Sequence, residues 1–288
     1  MGAFPPEGPP VLTIQRISAF SDGPVGGNPA GVVIAEELPD AATMQRVAAE
    51  VGYSETAFAA HDENGWRVRY FSPLVEVPFC GHATIALGAA LARAKGDGVF
   101  PLQLNQARIS VQGWRDGDQV RAALQSPPTR SEPASPGLLA SALELFGLVP
   151  GDLDPRLPPA RIHAGADHLL LALRDPAKLS AMAYELEAGR LLMEDAALLT
   201  IALVVAETPR RFHARNAFAV GGVFEDPATG AAAAALGGYL RDLGWPHGGA
   251  VEIVQGVDMG QPSRLHVEIG PEPGASIRVS GATRSLAG

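Results

Sequence analysis

Two stretches of small residues constrain the fold of this chain more than any other feature. Gly81–Leu91 aligns without gaps on Gly230–Leu240, and six of the eleven positions are identical. Gly88 and Gly237 fall inside the two predicted helices, where glycine costs ~1 kcal/mol relative to alanine. Close approach of surrounding backbone would account for that cost. We favour a duplication in which each copy wraps a curled sheet around its helix; the alternative is ordinary helix–sheet packing in one mixed domain.

The rest of the chain fits two similar halves. Its 288 residues exceed the usual length of one domain. Each half runs through strands, one small-residue helix and further strands, and the Pro/Ser-rich segment 126–136 is the best boundary. We therefore predict an α+β protein with a first domain over 11–125 and a second over 137–274. Residues 1–10 are predicted to be a flexible lead-in.

Caps and hydrophobic patterns place the individual elements. Asp40 and Gly52 are the expected N-cap and stop of the first helix. Helices are predicted at Ala41–Val51, His82–Ala94, Gly137–Phe146, Ala181–Met193 and Thr229–Leu243. The longer strands are predicted at Val11–Phe20, Gly31–Ala35, Thr56–Ala60, Trp66–Phe71, His168–Leu173, Leu198–Val205 and Phe212–Val220.

Charge and cysteine content exclude several classes of function. A net charge of −9 and a pI of about 5.3 argue against nucleic acid or an anionic membrane as a partner. The apolar runs are too short to span a bilayer, so a soluble, cytoplasmic protein is expected. A single cysteine, Cys80, excludes an intrachain disulfide framework and multi-cysteine metal sites. We predict no metal, because the other candidate ligands lack compact spacing: His163, His168, His213 and His247.

The two helices also suggest a type of ligand. If the halves face each other, both helix N-termini can point into the cleft between them, and helix N-termini bind anions. We therefore expect a small carboxylate substrate. No P-loop is present, and no GxGxxG follows a strand, so a nucleotide cofactor is not indicated.

Three short segments carry groups that could do chemistry. Glu55 stands where a turn enters an apolar strand, and burial there would raise the pKa of a carboxyl group toward the range useful for proton transfer. An exposed turn residue is the alternative. Cys80 and His82 begin the first small-residue helix, whose dipole is expected to lower the pKa of the thiol; a buried structural cysteine is the alternative. Asp226 before Pro227 is expected to be the N-cap of the second such helix.

Together these segments resemble the PhzF-like family of phenazine-biosynthesis isomerases. The matching segments, in order, are Gly27–Val33, Ser54–Phe58, Arg69–Pro73, Glu76–Thr84, Glu225–Gly230, Gln255–Gly256, Met259–Gly260 and Pro262–Ser263. The resemblance implies the diaminopimelate-epimerase-like fold, with two pseudosymmetric domains that each curl a mixed sheet, as a half-open barrel, around a central helix. It also implies a C-terminal strand, about 275–282, that returns to the first domain, and a homodimer.

The resemblance further implies an isomerisation without cofactor or metal. In the best-understood family reaction, on trans-2,3-dihydro-3-hydroxyanthranilate, the residue matching Glu55 moves a proton between two ring carbons. Gly81, His82 and Asp226 then line the substrate site, and Gly230 lends a backbone N–H. The remaining substrate-binding residues implied by the matched motifs are Asn28, Ser54, Thr229 and Ala231.

Three departures from the family pattern matter, and the first of them bears on the substrate more than on the fold or the proton chemistry. Ala231 stands where serine is usual, Val220 where proline is usual, and Gln261 where arginine is common. An amino-acid epimerase or racemase is one alternative function, disfavoured because the segment that matches Cys80 offers no second thiol. A non-catalytic protein that binds small molecules is the other.

Overall fold

The computed structural model of this protein describes residues 12–287, so the expected lead-in and Val11 lie outside the described residues. Strands β1 to β9 are Ile14–Ala19, Asn28–Ala35, Thr56–Asp62, Gly65–Phe71, Glu76–Val77, Gly98–Gln103, Arg108–Asp116, Gln119–Gln125 and Arg130–Pro133. Strands β10 to β17 are Ala160–His163, Asp167–Ala172, Thr200–Thr208, Arg211–Ala217, Glu225–Asp226, Ala250–Gln255, Ser263–Glu268 and Arg278–Ser285. Helices α1 to α6 are Ala41–Val51, Gly81–Lys95, Pro136–Leu145, Pro176–Ser180, Leu186–Asp195 and Gly230–Asp242.

The strands of the first half form a curled mixed sheet. β1 is antiparallel to β2, β2 is parallel to β3, and β3 is antiparallel to β4. β4 then pairs with the short β5 and, in parallel, with β6, which continues antiparallel through β7 to β8. Strand β17 pairs with both β8 and β1, so it completes a ring of strands. It covers Arg278–Ser285, slightly later than the predicted return strand at about 275–282.

The second half repeats this pairing order strand for strand. β10 to β13 pair antiparallel, parallel and antiparallel, and β13 then pairs with the short β14 and, in parallel, with β15. β15, β16 and β17 follow as antiparallel neighbours. After β8 the chain continues as β9, which pairs with β10. β8 and β17 thus lie side by side as antiparallel neighbours. β17 completes the sheet of the first half, and β9, which continues from β8, joins the sheet of the second half.

Helices α2 and α6 lie inside these two sheets. Residues 82–92 of α2 are all buried, as are nearly all residues of α6, so both helices are enclosed on every side. A methyl group on Gly88 would lie 2.5 Å from Cγ2 of Val111. One on Gly237 would lie 2.7 Å from Cγ1 of Val267. The sheet does approach closely at both glycines, but the contacting atoms are side chains rather than the backbone that was predicted. None of the helices in residues 12–287 is long and apolar enough to cross a membrane.

The outer helices pack on the convex faces of the sheets, and side-chain caps decide where most of them start. Asp40 accepts a hydrogen bond from the backbone of Thr43, and Gly52 ends α1 with a φ of 71°, as predicted. Ser135 caps α3, which places Pro136 at its first position. The buried faces of α1 and of α3 with α5 form two smaller cores separate from the central one.

Some predicted elements differ from the structure. The helix predicted at Ala181–Met193 corresponds to α5 alone, which starts at Leu186 because Glu185 is its N-cap. The short helix α4, capped by Asp175, lies before the predicted range and was not predicted. The strand predicted at Phe212–Val220 ends at Ala217, and the chain then turns through a short 3₁₀ segment. Strand β9 lies within the predicted boundary segment, and its partner β10 was not predicted.

Replacing Gly88 with alanine tests the enclosure of α2. Helix propensity alone predicts a gain in stability of about 1 kcal/mol. Contact with the stiff, buried side chain of Val111 predicts instead a loss of about 1–3 kcal/mol. We expect the loss, measured as the free energy of unfolding in urea. Gly137→Ala in α3 is the matched control: its methyl group meets no described atom within 4 Å, so that variant gains stability.

Candidate active site

The N-termini of α2 and α6 meet at the floor of a cleft between the two halves. A methyl group on Gly81 would lie 3.7 Å from Cα of Gly230 and 3.8 Å from the backbone nitrogen of Ala231. The cleft has a volume of about 280 Å³, the size of a small-molecule site. Its polar lining is Glu55, His82, Asp226, Thr229 and Thr200.

Both helix ends present backbone N–H groups to this cleft. The N-cap residues are Cys80 for α2 and Thr229 for α6, and within residues 12–287 neither side chain caps its own helix. The first N–H groups of a helix lack intrahelical partners and carry partial positive charge. The arrangement can therefore hold the two oxygens of a carboxylate, one at each helix end.

Glu55 and His82 form a close pair at one wall of the cleft. Oε2 of Glu55 lies 3.3 Å from Nε2 of His82, and the two side chains are only 13% and 7% exposed. The partial burial predicted for Glu55 is therefore present. Ser54 Oγ lies 3.2 Å from the same Nε2. A partly buried carboxylate that contacts an imidazole can accept and return a proton.

Asp226 is held on the opposite side by residues from both halves. Its Oδ1 accepts a hydrogen bond of 2.7 Å from Nδ2 of Asn28, and its Oδ2 accepts one of 2.6 Å from Thr229 Oγ1. Gln255 donates to the carbonyl of Asp226 and accepts from the backbone N–H of Thr229. Asp226 is therefore not the N-cap of α6, as its position before Pro227 predicted; it ends β14, and Thr229 is the N-cap. The carboxylate of Asp226 pairs with Asn28 and does not cap the helix, because Asn28 supplies a buried hydrogen-bond donor.

Burial raises the pKa of Asp226 to about 6. The negative charge of Glu55 acts in the same direction, whereas His82 and the hydrogen bonds from Thr229 and Asn28 oppose it. Two carboxyl groups that face one cleft thus differ in environment, and the more buried one carries a proton up to weakly acidic pH.

Burial also raises the pKa of the Cys80 thiol well above its ordinary value, with the charge of Glu55 as the next cause. The predicted lowering by the helix dipole is wrong, because the desolvation of a thiolate outweighs the dipole here. Glu55, Cys80 and His82 bring three potential metal-binding atoms within 4.8 Å of one another, a cluster that the sequence spacing did not reveal. A metal ion binds the thiolate form of cysteine, so binding at this cluster would require Cys80 to release its proton.

Most of the predicted site residues meet in this cleft. Seven of the nine line it: Glu55, Gly81, His82, Asp226, Thr229, Gly230 and Ala231. The other two support lining residues, Asn28 through Asp226 and Ser54 through His82. Sequence reasoning missed much of the wall, which is largely apolar: Val77, Pro78, Phe79, Gly165, Ala166, Leu199, Thr200, Phe218 and Ala228.

Two buried polar side chains, His168 and Arg215, support the part of the cleft wall that the second half forms. Nδ1 of the fully buried His168 lies 2.7 Å from Thr200 Oγ1, which donates to Asn216. Burial lowers the pKa of His168 to about 3, so its ring is neutral. Arg215 forms a buried ion pair with Glu225 and donates to the carbonyl of Ser180, which fixes β14 and so Asp226. Gln261, one of the family departures, bonds through its backbone N–H to Gly256, and such a bond does not depend on the side chain.

Comparison with known proteins identifies close relatives of this arrangement. Residues 17–286 match the family described as PhzC-PhzF, phenazine biosynthesis-like protein. A relative from Pseudomonas aeruginosa named trans-2,3-dihydro-3-hydroxyanthranilate isomerase is 32% identical over 270 residues, which cover 92% of this chain and 91% of the relative.

Solved structures share the fold. The structure of a PhzF-family phenazine biosynthesis protein from Bacillus anthracis superposes with a TM-score of 0.82 at 22% identity, over 95% of this chain and 96% of that one. A probable proline racemase from Agrobacterium radiobacter K84 gives a TM-score of 0.65 at 11% identity, over 96% and 92% of the two chains. The predicted epimerase-like fold is therefore confirmed.

The raised pKa of Asp226 predicts how replacing its carboxyl group changes the free energy of unfolding at different pH values. The unfolded chain releases this proton near 3.8, whereas the folded protein holds it to about pH 6. The folded state therefore loses stability as the pH rises between those values, and the loss stays constant above them. We expect the stability of Asp226→Asn relative to the parent to rise by about 1–2 kcal/mol from roughly pH 4.5 to 7.5.

Urea unfolding of both proteins across this pH range measures the effect. Asp118→Asn, at an exposed turn position, is the control and should track the parent at every pH. A relative stability of Asp226→Asn that falls as the pH rises would show that the folded protein stabilises the ionised form.

Proposed function

The chain belongs to the PhzC-PhzF family of phenazine biosynthesis-like proteins and is an isomerase, and on that basis we propose that it moves a proton between two carbons of a small carboxylate, with Glu55 as the acid/base. The observation that carries the proposal is the Glu55–His82 pair, 3.3 Å apart, in a cleft floored by two helix N-termini. The reaction needs no electron carrier because it is redox neutral. We propose that it proceeds without cofactor or metal.

In the proposed complex, backbone N–H groups at Gly81 and Gly230 bind the substrate carboxylate. The two helix ends face each other, so one oxygen can be held by each. Each charge–dipole interaction contributes typically 0.3–1 kcal/mol, and up to ~2 kcal/mol where it is partly buried. This contact fixes the position of the carbon next to the carboxylate relative to Glu55.

The proposed chemical step uses one carboxylate twice. Glu55 removes a proton from a carbon of the substrate, the C–H electron pair shifts the adjacent double bond, and the protonated Glu55 returns the proton to a second carbon on the same face. His82 and Asp226 orient polar substituents of the substrate. The mostly apolar walls exclude water, which strengthens each of these electrostatic contacts.

The default candidate substrate is trans-2,3-dihydro-3-hydroxyanthranilate, because the Pseudomonas aeruginosa relative is named as the isomerase of that compound. A thiol-based epimerase is the weaker alternative. The stretch Thr229–Ala232 offers no thiol opposite Cys80, and burial keeps Cys80 itself protonated. The homodimer remains a proposal that rests on the family resemblance, and the cytoplasmic location remains one that rests on the composition and the short apolar runs.

Glu55→Gln tests the acid/base role. The amide keeps the shape of the side chain but cannot carry the proton, so turnover should fall by roughly 10²–10⁴ while substrate binding persists. Turnover is measured in deuterated solvent by the appearance of deuterium on carbon, and binding by calorimetry.

Glu63→Gln is the matched control, because Glu63 is an exposed turn residue of the same half, and it should turn over like the parent. Full turnover by Glu55→Gln would remove Glu55 from the mechanism. Binding by the parent with no exchange into any carboxylate tested would instead favour a non-catalytic binding protein.

Ala231→Ser tests which substrate the site accepts. Ala231 lines the cleft and offers a methyl group where the family usually offers a hydroxyl. A buried polar substituent that loses its partner costs ~1–3 kcal/mol, a factor of roughly 5–150. We expect the parent to turn over trans-2,3-dihydro-3-hydroxyanthranilate weakly or not at all, and Ala231→Ser to improve kcat/KM by such a factor. Ala166→Ser, which adds a hydroxyl to another wall of the same cleft, should bring no gain. Efficient turnover by the parent, unimproved by serine at 231, would exclude this position as the determinant.

A further inference from the structure

We propose that Cys80 is a positioning residue: its thiol donates a hydrogen bond to Nδ1 of His82 and so fixes the ring tautomer that carries its proton on Nε2, facing Glu55. The proposal deepens the proposed function, since it assigns a task to a residue that the proton transfer does not itself use. Only the expected effect on turnover rests on the proposed function, because the tautomer of His82 is a property of the protein without substrate.

The contact between the two side chains is direct. Sγ of Cys80 lies 3.3 Å from Nδ1 of His82 and 3.8 Å from Nε2, so the sulfur faces the Nδ1 side of the ring. Cys80 is 8% exposed and His82 is 6% exposed. Both side chains are therefore largely shielded from bulk water.

The far side of the ring favours a proton on Nε2, because Glu55 can only accept there, whereas the Ser54 hydroxyl 3.2 Å away can either donate or accept. Nε2 lies 3.3 Å from a carboxylate oxygen of Glu55, and an ionised carboxylate can only accept hydrogen bonds. A neutral imidazole has one donor nitrogen and one acceptor nitrogen. If Nε2 donates to Glu55, Nδ1 must accept, and the neighbouring group that can donate to it is the thiol of Cys80.

The state of the thiol agrees with this direction. Burial holds the pKa of Cys80 well above its ordinary value, so the sulfur keeps its hydrogen at neutral pH. The neighbouring backbone of Ala83 opposes that shift without cancelling it. A thiolate–imidazolium pair would place two charges in a buried site.

The consequence for the reaction is geometric. With its proton on Nε2, His82 holds one oxygen of Glu55, which leaves the other oxygen to take the substrate proton. The opposite tautomer would turn a lone pair toward the carboxylate and repel it. The thiol therefore acts on the acid/base through the histidine, and not as a nucleophile.

NMR of the protein labelled with ¹⁵N in its histidine rings tests the tautomer directly. Two-bond ¹H–¹⁵N correlations show which ring nitrogen carries hydrogen, and the spectrum of His82→Gln identifies the His82 signals by their absence. We expect the Nε2–H form in the parent. We expect it also in Glu55→Gln, where the thiol remains, and in Glu55→Gln/Cys80→Ser, where a hydroxyl can donate instead. Glu55→Gln/Cys80→Ala should show a mixture of both tautomers.

Kinetics give a second readout. Cys80→Ala should lower kcat roughly fivefold, the effect of one ordinary hydrogen bond, with little change in KM. Cys80→Ser should recover most of that loss. Ala90→Gly is the packing control: Ala90 is a buried residue of the same helix, away from His82, so this variant should lose stability but keep kcat.

Several results would overturn the proposal. One is an Nδ1–H or doubly protonated His82 in the parent. Others are a mixture of tautomers already in Glu55→Gln, or an unchanged Nε2–H form in Glu55→Gln/Cys80→Ala. Should that double variant not fold, the spectra of the parent and Glu55→Gln decide. A kcat for Cys80→Ser as low as that of Cys80→Ala would assign Cys80 to packing alone. Because the spectra require no substrate, they test the tautomer of His82 even if Glu55→Gln retains full turnover and the proposed function fails.

Discussion

The meeting of two helix N-termini at Gly81 and Gly230 is the contact around which the rest of the molecule is arranged. Each end carries a partial positive charge of roughly half an elementary charge, so bringing them together in a partly dry cleft is electrostatically unfavourable on its own. The surrounding groups offset this cost: the carboxyl groups of Glu55 and Asp226 both face the cleft. The fold therefore favours a negatively charged ligand before any side chain recognises it.

The same enclosure explains why two side chains behave contrary to their local sequence. Beside a helix N-terminus, a thiol or a carboxyl group ordinarily ionises more easily. At Cys80 and Asp226 burial is the larger effect and raises both pKa values. The protein thus combines helix ends that attract a charged ligand with a thiol that stays neutral and a carboxyl group that ionises only above about pH 6.

Much of the architecture could be predicted because its signals are local. The paired glycines at 88 and 237 indicated enclosed helices, and Asp40 with Gly52 marked both ends of α1. The failures involve distant partners. Asp226 has the sequence of an N-cap, but Asn28, from the other half of the chain, takes its carboxylate instead. Neither the pairing of β9 with β10 nor the apolar wall around Leu199 has a local signature, because both depend on how distant segments assemble.

The pairing of β17 with β1 and β8 makes folding of the first half depend on synthesis of the second half. The sheet around α2 is completed by Arg278–Ser285, which pairs with β8 and β1. On a ribosome, residues 12–125 emerge long before that strand, so the edges of β1 and β8 stay unpaired throughout synthesis of the second half. Unpaired edges of this kind promote aggregation of nascent chains. During translation the exposed edges of the first half therefore lack the strand that protects them. That strand, β17, is made only after nearly all of the other described residues.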